Sequence, residues 1–158
     1  MVIRIELQAA EAERALTLLL ASMDDLTPVM QEVGEFLLAS TERRYDEGVS
    51  PEGVPWAPKS PVTLARYARG LDAVDTRPLF KSGTMRRTLA YEAGPSSTAI
   101  GSNAIQAAVM QFGAAKGTLG PRSPWGDIPA RPYLGLSEED HAGVVGIVEE
   151  WMARLLED

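Results

Sequence analysis

His141 is the only histidine in the chain and the first residue to consider for catalysis, because imidazole often acts as a general base near neutral pH. It follows Glu138, Glu139 and Asp140, and the chain has no Gly-x-Ser-x-Gly turn to supply a serine nucleophile. The absence of cysteine excludes thiol catalysis and leaves a zinc ion short of its usual ligands. The sequence therefore predicts that His141 is a surface residue and that the protein binds no metal.

Two other patterns could do chemistry, but their geometry is unsuitable. Residues 113–118 read Gly-Ala-Ala-Lys-Gly-Thr, whereas a phosphate-binding loop needs Gly-Lys-Ser/Thr between a strand and a helix. Glu149 and Glu150 are neighbours on a predicted helix, so their side chains point in different directions and cannot flank one bond. We therefore expect neither an enzyme nor a bound cofactor.

Charge is distributed unevenly along the chain, whose net charge is −7. Residues 1–58 contain four Arg and eleven Asp or Glu, residues 59–91 contain seven Lys or Arg and two Asp, and residues 137–158 contain one Arg and seven acids. This succession of acidic, basic and acidic segments would favour head-to-tail stacking of identical subunits through complementary faces. Solvated surface charge without a partner explains the same pattern equally well. The basic 59–91 segment also leaves open a non-catalytic protein that contacts nucleic acid, although the overall acidity opposes this.

Four segments contain most of the distinctive residues of the chain. They are residues 51–58 (PEGVPWAP), 78–85 (PLFKSGTM), 108–113 (AVMQFG) and 128–135 (IPARPYLG). Their order and spacing resemble those of the phage virion morphogenesis family, also described as tail-completion proteins, over about residues 26–157. The chain departs from that pattern at Gln106-Ala107-Ala108, where members often have a Tyr-Ala pair, and in the loop after residue 113.

The resemblance implies a structural virion protein of a tailed phage or prophage, without catalytic activity. It implies a role in tail completion and head–tail joining, as a subunit that forms a ring at the neck or tail terminus. The implied partners are further copies of itself in a hexameric ring and adjacent tail-tube, terminator or head-connector proteins. The basic 59–91 segment also leaves open a loose, non-specific contact with packaged DNA. The implied location is the virion, with the host cytoplasm during assembly. No apolar run approaches the roughly 20 residues needed to span a bilayer, so we expect no membrane contact.

Five residues form the candidate assembly interface: Gln111, Phe112, Gly113, Arg131 and Tyr133. Arg131 precedes a proline, which restricts its backbone to extended conformations and so directs its side chain. We expect its guanidinium to bind a carboxylate, either in its own chain or in a neighbour.

Six further residues are predicted to be structural anchors: Trp56, Pro55, Gly83, Pro129, Pro132 and Gly135. Trp56, among prolines, is expected to fill the core in preference to forming an exposed contact. Gly135 is expected at a turn from a strand into a helix.

Helices and strands that position these residues follow from periodicity and capping signals. The first half predicts a strand over 2–7, a helix over 9–23, and a long helix that begins after Asp25 and ends at Gly48. Four prolines between 51 and 61 predict an irregular loop, followed by a short helix over 61–69 and a turn over 79–85.

The second half predicts a hairpin, with strands over 87–92 and 98–102. A helix over 104–111 is expected to begin at Asn103 and to end at Gly113, before a mobile loop over 113–126. Ser137 is expected to cap a final amphipathic helix, whose apolar stripe contains Val144, Val148, Trp151, Met152 and Leu155. The predicted fold is a single α+β domain over 1–158, a small and mainly antiparallel sheet packed by two or three longer helices.

Overall fold

A computed structural model of the protein describes residues 10–70, 75–122 and 126–157. Within these ranges the chain forms six helices and one antiparallel pair of strands, which confirms the α+β prediction. The strand predicted over 2–7 lies outside the described residues. The elements, in chain order, are α1 (Ala10–Ser22), α2 (Thr27–Glu47), α3 (Pro61–Ala68), α4 (Thr84–Arg87), β1 (Leu89–Ala93), β2 (Thr98–Ser102), α5 (Ala107–Phe112) and α6 (Glu138–Glu157).

The long helix α2 lies at the centre and packs against β1, β2 and α6. Val29, Val33 and Leu37 recur at a spacing of four residues and are buried, as an amphipathic helix requires. The helix ends as predicted at Gly48, whose left-handed backbone (φ 74°) lets its N–H donate to a carbonyl of the preceding turn. At the other end the prediction was wrong by one residue: the cap position is Leu26 instead of Asp25, although the Asp25 carboxylate still accepts a hydrogen bond from the Thr27 N–H.

The β1–β2 hairpin lies directly on α2 because a glycine provides the space. A Cβ atom on Gly34 would lie 2.3 Å from the Tyr91 ring, so only glycine permits this approach. β2 has the predicted bounds, whereas β1 begins at Leu89 instead of Arg87. The reason is that α4 includes Arg87, so the chain is still helical where the alternation of residues predicted a strand.

Helix α6 begins with a reciprocal pair of hydrogen bonds. The Ser137 hydroxyl accepts from the Asp140 N–H at 3.0 Å, and the Asp140 carboxylate accepts from the Ser137 N–H at 2.9 Å. This arrangement is a capping box, and it confirms Ser137 as the cap. Along the predicted stripe of α6 the apolar side chains are half-buried, except for the exposed Met152.

Helix α5 is shorter than predicted, and its predicted cap is wrong. It begins at Ala107, with Gln106 at the cap position, and no side chain there accepts a hydrogen bond. Asn103 does not cap it because the chain first makes a turn, in which the Ala104 N–H donates to the Ser102 hydroxyl. The end at Gly113 is as predicted.

Two further findings concern the remaining segments. The short helix α3 is capped by Ser60, whose hydroxyl accepts from the Thr63 N–H. The predicted loop after Gly113 is closed at its base by paired backbone hydrogen bonds between Ala114 and Ile128. None of the helices in the described part of the chain is long and apolar enough to cross a membrane.

Candidate functional site: four segments around one aromatic cluster

All four distinctive segments meet around a buried cluster of aromatic and apolar side chains. The cluster consists of Tyr45, Trp56, Met85, Leu89 and Tyr133. The Tyr45 ring lies at its centre, 5.3 Å from the Trp56 ring and 5.4 Å from the Tyr133 ring, both in edge-to-face geometry. Residues that are distant in sequence are therefore held in a fixed relation.

Trp56 connects the 51–58 loop to this cluster. Its side chain is buried, which confirms the expectation of a core residue. Its indole Nε1–H donates to the Pro132 carbonyl at 2.7 Å, so the polar atom of the ring also has a partner. One tryptophan thereby binds the 51–58 loop to the 128–135 segment.

Arg131 makes a second connection between the same two segments, and the prediction of a carboxylate partner in its own chain was wrong. Its guanidinium binds backbone carbonyls instead of a carboxylate, donating to Ala57 at 2.7 Å and to Pro58 at 2.8 Å. The physical reason is that the proline-rich loop cannot form regular structure, so its carbonyls remain available as acceptors. The residue is only 7% exposed, and burial lowers the pKa of its guanidinium.

Gln111 joins α5 to the 128–135 segment through both atoms of its side-chain amide. Its Oε1 accepts hydrogen bonds from the Tyr133 and Leu134 N–H groups, each at 3.0 Å. Its Nε2 donates to the Leu134 carbonyl at 2.8 Å. The side chain thus pairs with an extended backbone much as a neighbouring strand would, and it fixes the end of α5.

Gly113 allows α5 to end against that segment. Its φ is 72°, and a Cβ atom there would lie 2.7 Å from the Ile128 carbonyl oxygen and 2.8 Å from the Ala130 nitrogen. Both the backbone conformation and the available space therefore require glycine.

The remaining predicted anchors have different surroundings. Gly135, with φ 147°, packs against the Pro51 ring, where a Cβ atom would lie 2.7 Å from Pro51 Cγ. Gly83 adopts a left-handed conformation just before α4. Pro55 and Pro129 are exposed, and Pro55 pairs with Val49 in an isolated bridge.

Sequence reasoning missed a buried ion pair between α2 and α6. Arg44 Nη1 lies 2.5 Å from Asp140 Oδ2, and the Asp140 side chain is completely buried. The Ser40 hydroxyl donates to Asp140 Oδ1, and Arg44 Nη2 donates to the Gly135 carbonyl. A signal was present, because Leu37, Ser40 and Arg44 share one helical face, which places an arginine on the buried stripe.

Hydrogen bonding keeps the buried Asp140 charged. Burial by itself raises its pKa, but hydrogen bonds from the Ser137 backbone, Ser40 and Arg44 outweigh that effect and lower the pKa to about 2. Asp140 therefore stays ionised over the physiological range, and its hydrogen bonds to Arg44 and Ser40 hold the start of α6 on α2.

Exposure separates the five candidate interface residues. Tyr133 and Arg131 are buried within the chain, and Gln111 and Gly113 are half-buried. Phe112 is 79% exposed, although it lies between the two anchored residues Gln111 and Gly113. Phe112 is therefore the accessible apolar side chain of the set.

Several charged side chains of the basic 59–91 segment form ion pairs or hydrogen bonds within the chain. Arg77 pairs with Asp75 at 2.7 Å, and Arg86 pairs with Asp46 at 2.9 Å. Lys59 donates to backbone carbonyls, including that of Asp75.

His141 is exposed, as predicted. Among the described residues, no group of three or more His, Asp or Glu side chains is placed to hold a metal ion.

Comparison with known proteins complements this geometry. The model of the phage virion morphogenesis family matches residues 7–153 of the 158-residue chain. No curated protein and no solved structure matches the chain.

Proposed function

Because the chain belongs to the phage virion morphogenesis family, and so has a structural role in phage assembly, we propose that it acts in tail completion and head–tail joining. The observation that carries this proposal is the family match, which extends over residues 7–153. We place the protein at the neck or tail end of the particle, as a subunit of a closed ring. The expected number of six subunits in this ring is what the resemblance to the family implies.

A closed ring needs a heterologous contact, in which one patch of a subunit binds a different patch of the next. Phe112 has the properties of an anchor for such a contact. Its side chain is exposed, while the backbone around it is held by Gln111 and Gly113. Little conformational entropy would therefore be lost when Phe112 binds a neighbouring subunit. Ile105, which precedes the same helix, is 98% exposed and adds apolar surface nearby in the sequence.

Surface charge supports a contact between unlike faces. Arg69, Lys81 and Arg87 are exposed cations of the basic segment. Glu149 and Glu150 are exposed on α6, which packs against α1 from the acidic first segment. Complementary charges orient subunits during encounter, and their effect weakens as salt is added.

We expect only weak self-association of the purified protein. A subunit that formed rings in free solution would compete with ordered assembly, so the ring is expected to be stabilised by an adjacent tail-tube, terminator or connector ring. Sedimentation of the purified chain should therefore show mainly monomer.

Particles made without this protein test the proposal directly. Electron microscopy should show separate heads and tails, and complete infectious particles would refute the role in joining. Phe112→Ser tests the contact, with Val62→Ser as the matched control because Val62 is also an exposed apolar residue, 71% accessible. We expect both variants to melt like the parent and only Phe112→Ser to lower infectious titre. Equal titres for the two variants would remove Phe112 from the interface.

The nucleic-acid alternative predicts a different result. Binding of the purified chain to plain duplex DNA, measured by electrophoretic mobility at two salt concentrations, should be strong at low salt and fall steeply with added salt if the basic segment contacts phosphates. We expect no retardation at either concentration, because the net charge of the chain is −7.

A further inference from the structure

Two segments on the neighbouring helices α1 and α6, residues 16–23 and 145–156, contain more than half of the exposed large apolar side chains in the described part of the chain. Leu16, Leu20 and Met23 recur at spacings of four and three residues, so they form one exposed row. On α6 a second row with similar spacing consists of Val145, Glu149, Met152 and Leu156. Exposed apolar rows on adjacent helices are typical of a surface that binds another protein. We call these two rows the α1–α6 face.

The α1–α6 face is acidic as well as apolar. Glu149 lies within the α6 row, and Glu13 lies three residues before Leu16 on the same side of α1; both carboxylates are exposed. Arg154, the arginine of α6, already holds an ion pair with α2 at 2.7 Å. Arg14, the arginine of α1, lies two positions before Leu16 and therefore on the other side of that helix. Two α1–α6 faces would repel each other, so this face fits an apolar partner flanked by cations.

Phe112 and the α1–α6 face lie on opposite sides of the central helix α2. The Phe36 ring of α2 packs against Gly143 of α6, whereas Gly34 of α2 packs against the hairpin. Two positions of an α-helix differ by about 200°, so α6 and the hairpin lie nearly opposite each other. By the same rule, Val145 points away from α2 because it follows Gly143 by two positions. Phe112 belongs to the hairpin side, since residues of α5 and β2 line a common groove there.

Exposed cations lie near Phe112. Lys116 follows it by four residues, and the Lys116 N–H donates to the Asp127 carboxylate at 2.8 Å. Arg87, at the end of α4, is also exposed. The residue after Arg87 forms a hydroxyl–hydroxyl hydrogen bond of 2.8 Å with Ser102, which lines the same groove as Phe112. An apolar anchor flanked by cations is the chemistry that the α1–α6 face fits.

We propose that Phe112 of one copy binds the α1–α6 face of the next copy, an inference that rests on the ring proposed above and names the second patch of its contact. A ring requires two different patches, and these two lie on opposite sides of the subunit. The cations near Phe112 would approach Glu13 and Glu149, so charge complementarity favours this pairing. A free pair of copies makes the contact once, whereas each copy in a ring makes it twice. The purified chain is therefore still expected to be mainly monomeric.

Leu20→Asp tests the α1–α6 face, with Leu18→Asp as its matched control. Both are exposed leucines of α1, 67% and 49% accessible, but their side chains point about 200° apart around the helix. Both variants should melt like the parent, and only Leu20→Asp should lose infectious titre. Met152→Asp, on α6, should lose titre likewise, so the result does not depend on the stability of α1. Equal titres for Leu20→Asp and Leu18→Asp would overturn the inference. If Phe112→Ser still lowered titre, the ring contact itself would stand.

Photo-cross-linking in assembled particles identifies what Phe112 touches. A photoreactive benzoyl-phenylalanine at position 112 keeps an aromatic ring there, and the same probe at position 20 tests the contact from the other side. We expect the first probe to link to α1 or α6 of a second copy, and the second probe to link near residue 112. Links from position 112 to another region of a second copy would overturn this inference and keep the ring contact. Links only to a different protein would refute contact between copies through Phe112 altogether.

Discussion

Removal of the Asp140 carboxylate should strongly destabilise the fold, because it breaks the buried ion pair between α2 and α6. Asp140 is completely buried and accepts hydrogen bonds from Arg44, Ser40 and the Ser137 backbone. Asp140→Ala would leave the Arg44 guanidinium, whose side chain is 7% exposed, without a charged partner. Breaking a buried pair by removing one partner typically costs about 3–5 kcal/mol, and we expect the free energy of unfolding to fall by that amount.

Thermal and urea denaturation measure this loss. Each kcal/mol lowers Tm by about 2–4 °C in a domain of similar size, so Tm should fall by roughly 6–20 °C. Glu139→Ala is the matched control, because the adjacent Glu139 side chain is 78% exposed and lies 3.6 Å from Arg43. We expect the control to change stability by no more than about 0.5 kcal/mol. If Asp140→Ala melted as high as this control, the buried pair would not stabilise the fold.

The same carboxylate predicts a response to acid. Its pKa is about 2 in the folded protein, compared with about 3.9 for an unfolded aspartate. A lowered pKa stabilises the fold above the unfolded value, and this stabilisation is lost as the pH falls through the folded value. The contribution, roughly 2–3 kcal/mol, should therefore disappear between about pH 4 and pH 2 in the parent and be missing from Asp140→Ala. Parallel pH profiles for the parent and the variant would contradict this assignment.

Substitutions at Trp56, Gly113 and Arg131 test the aromatic cluster and its connections. Trp56→Ala should lower the free energy of unfolding by about 3–5 kcal/mol in urea denaturation, and Trp56→Phe by less, because the phenyl ring still fills most of the space. Gly113→Ala should lower Tm more than Gly117→Ala, since both glycines have positive φ but only at Gly113 would the new Cβ meet backbone atoms. Arg131→Glu should lower Tm because its carboxylate would face carbonyl oxygens, and an unchanged melt would show that the buried contacts contribute little.

Short sequence patterns predicted many of the helices and strands, because the interactions that form these elements act between residues only a few positions apart. The spacing of Val29, Val33 and Leu37 describes a buried helical face wherever that helix packs, and Gly48 ends the helix through its own backbone freedom. Ser137 caps α6 through atoms only three residues away. The errors at the starts of β1 and α5 occurred where the preceding helix α4 and the turn before α5 include residues assigned to the next element.

The sequence by itself determined the family, the α+β class and the burial of Trp56, since these depend on residue order and hydrophobicity. Only the tertiary structure decided the partners of Arg131, Gln111 and Asp140. Their long-range hydrogen bonds join residues between 22 and 100 positions apart, and each of these side chains could have found other partners in another arrangement. The following proline restricts the backbone conformation of Arg131. The partners of the Arg131 side chain depend instead on which loop lies opposite, and only the tertiary arrangement brings the Ala57 and Pro58 carbonyls there.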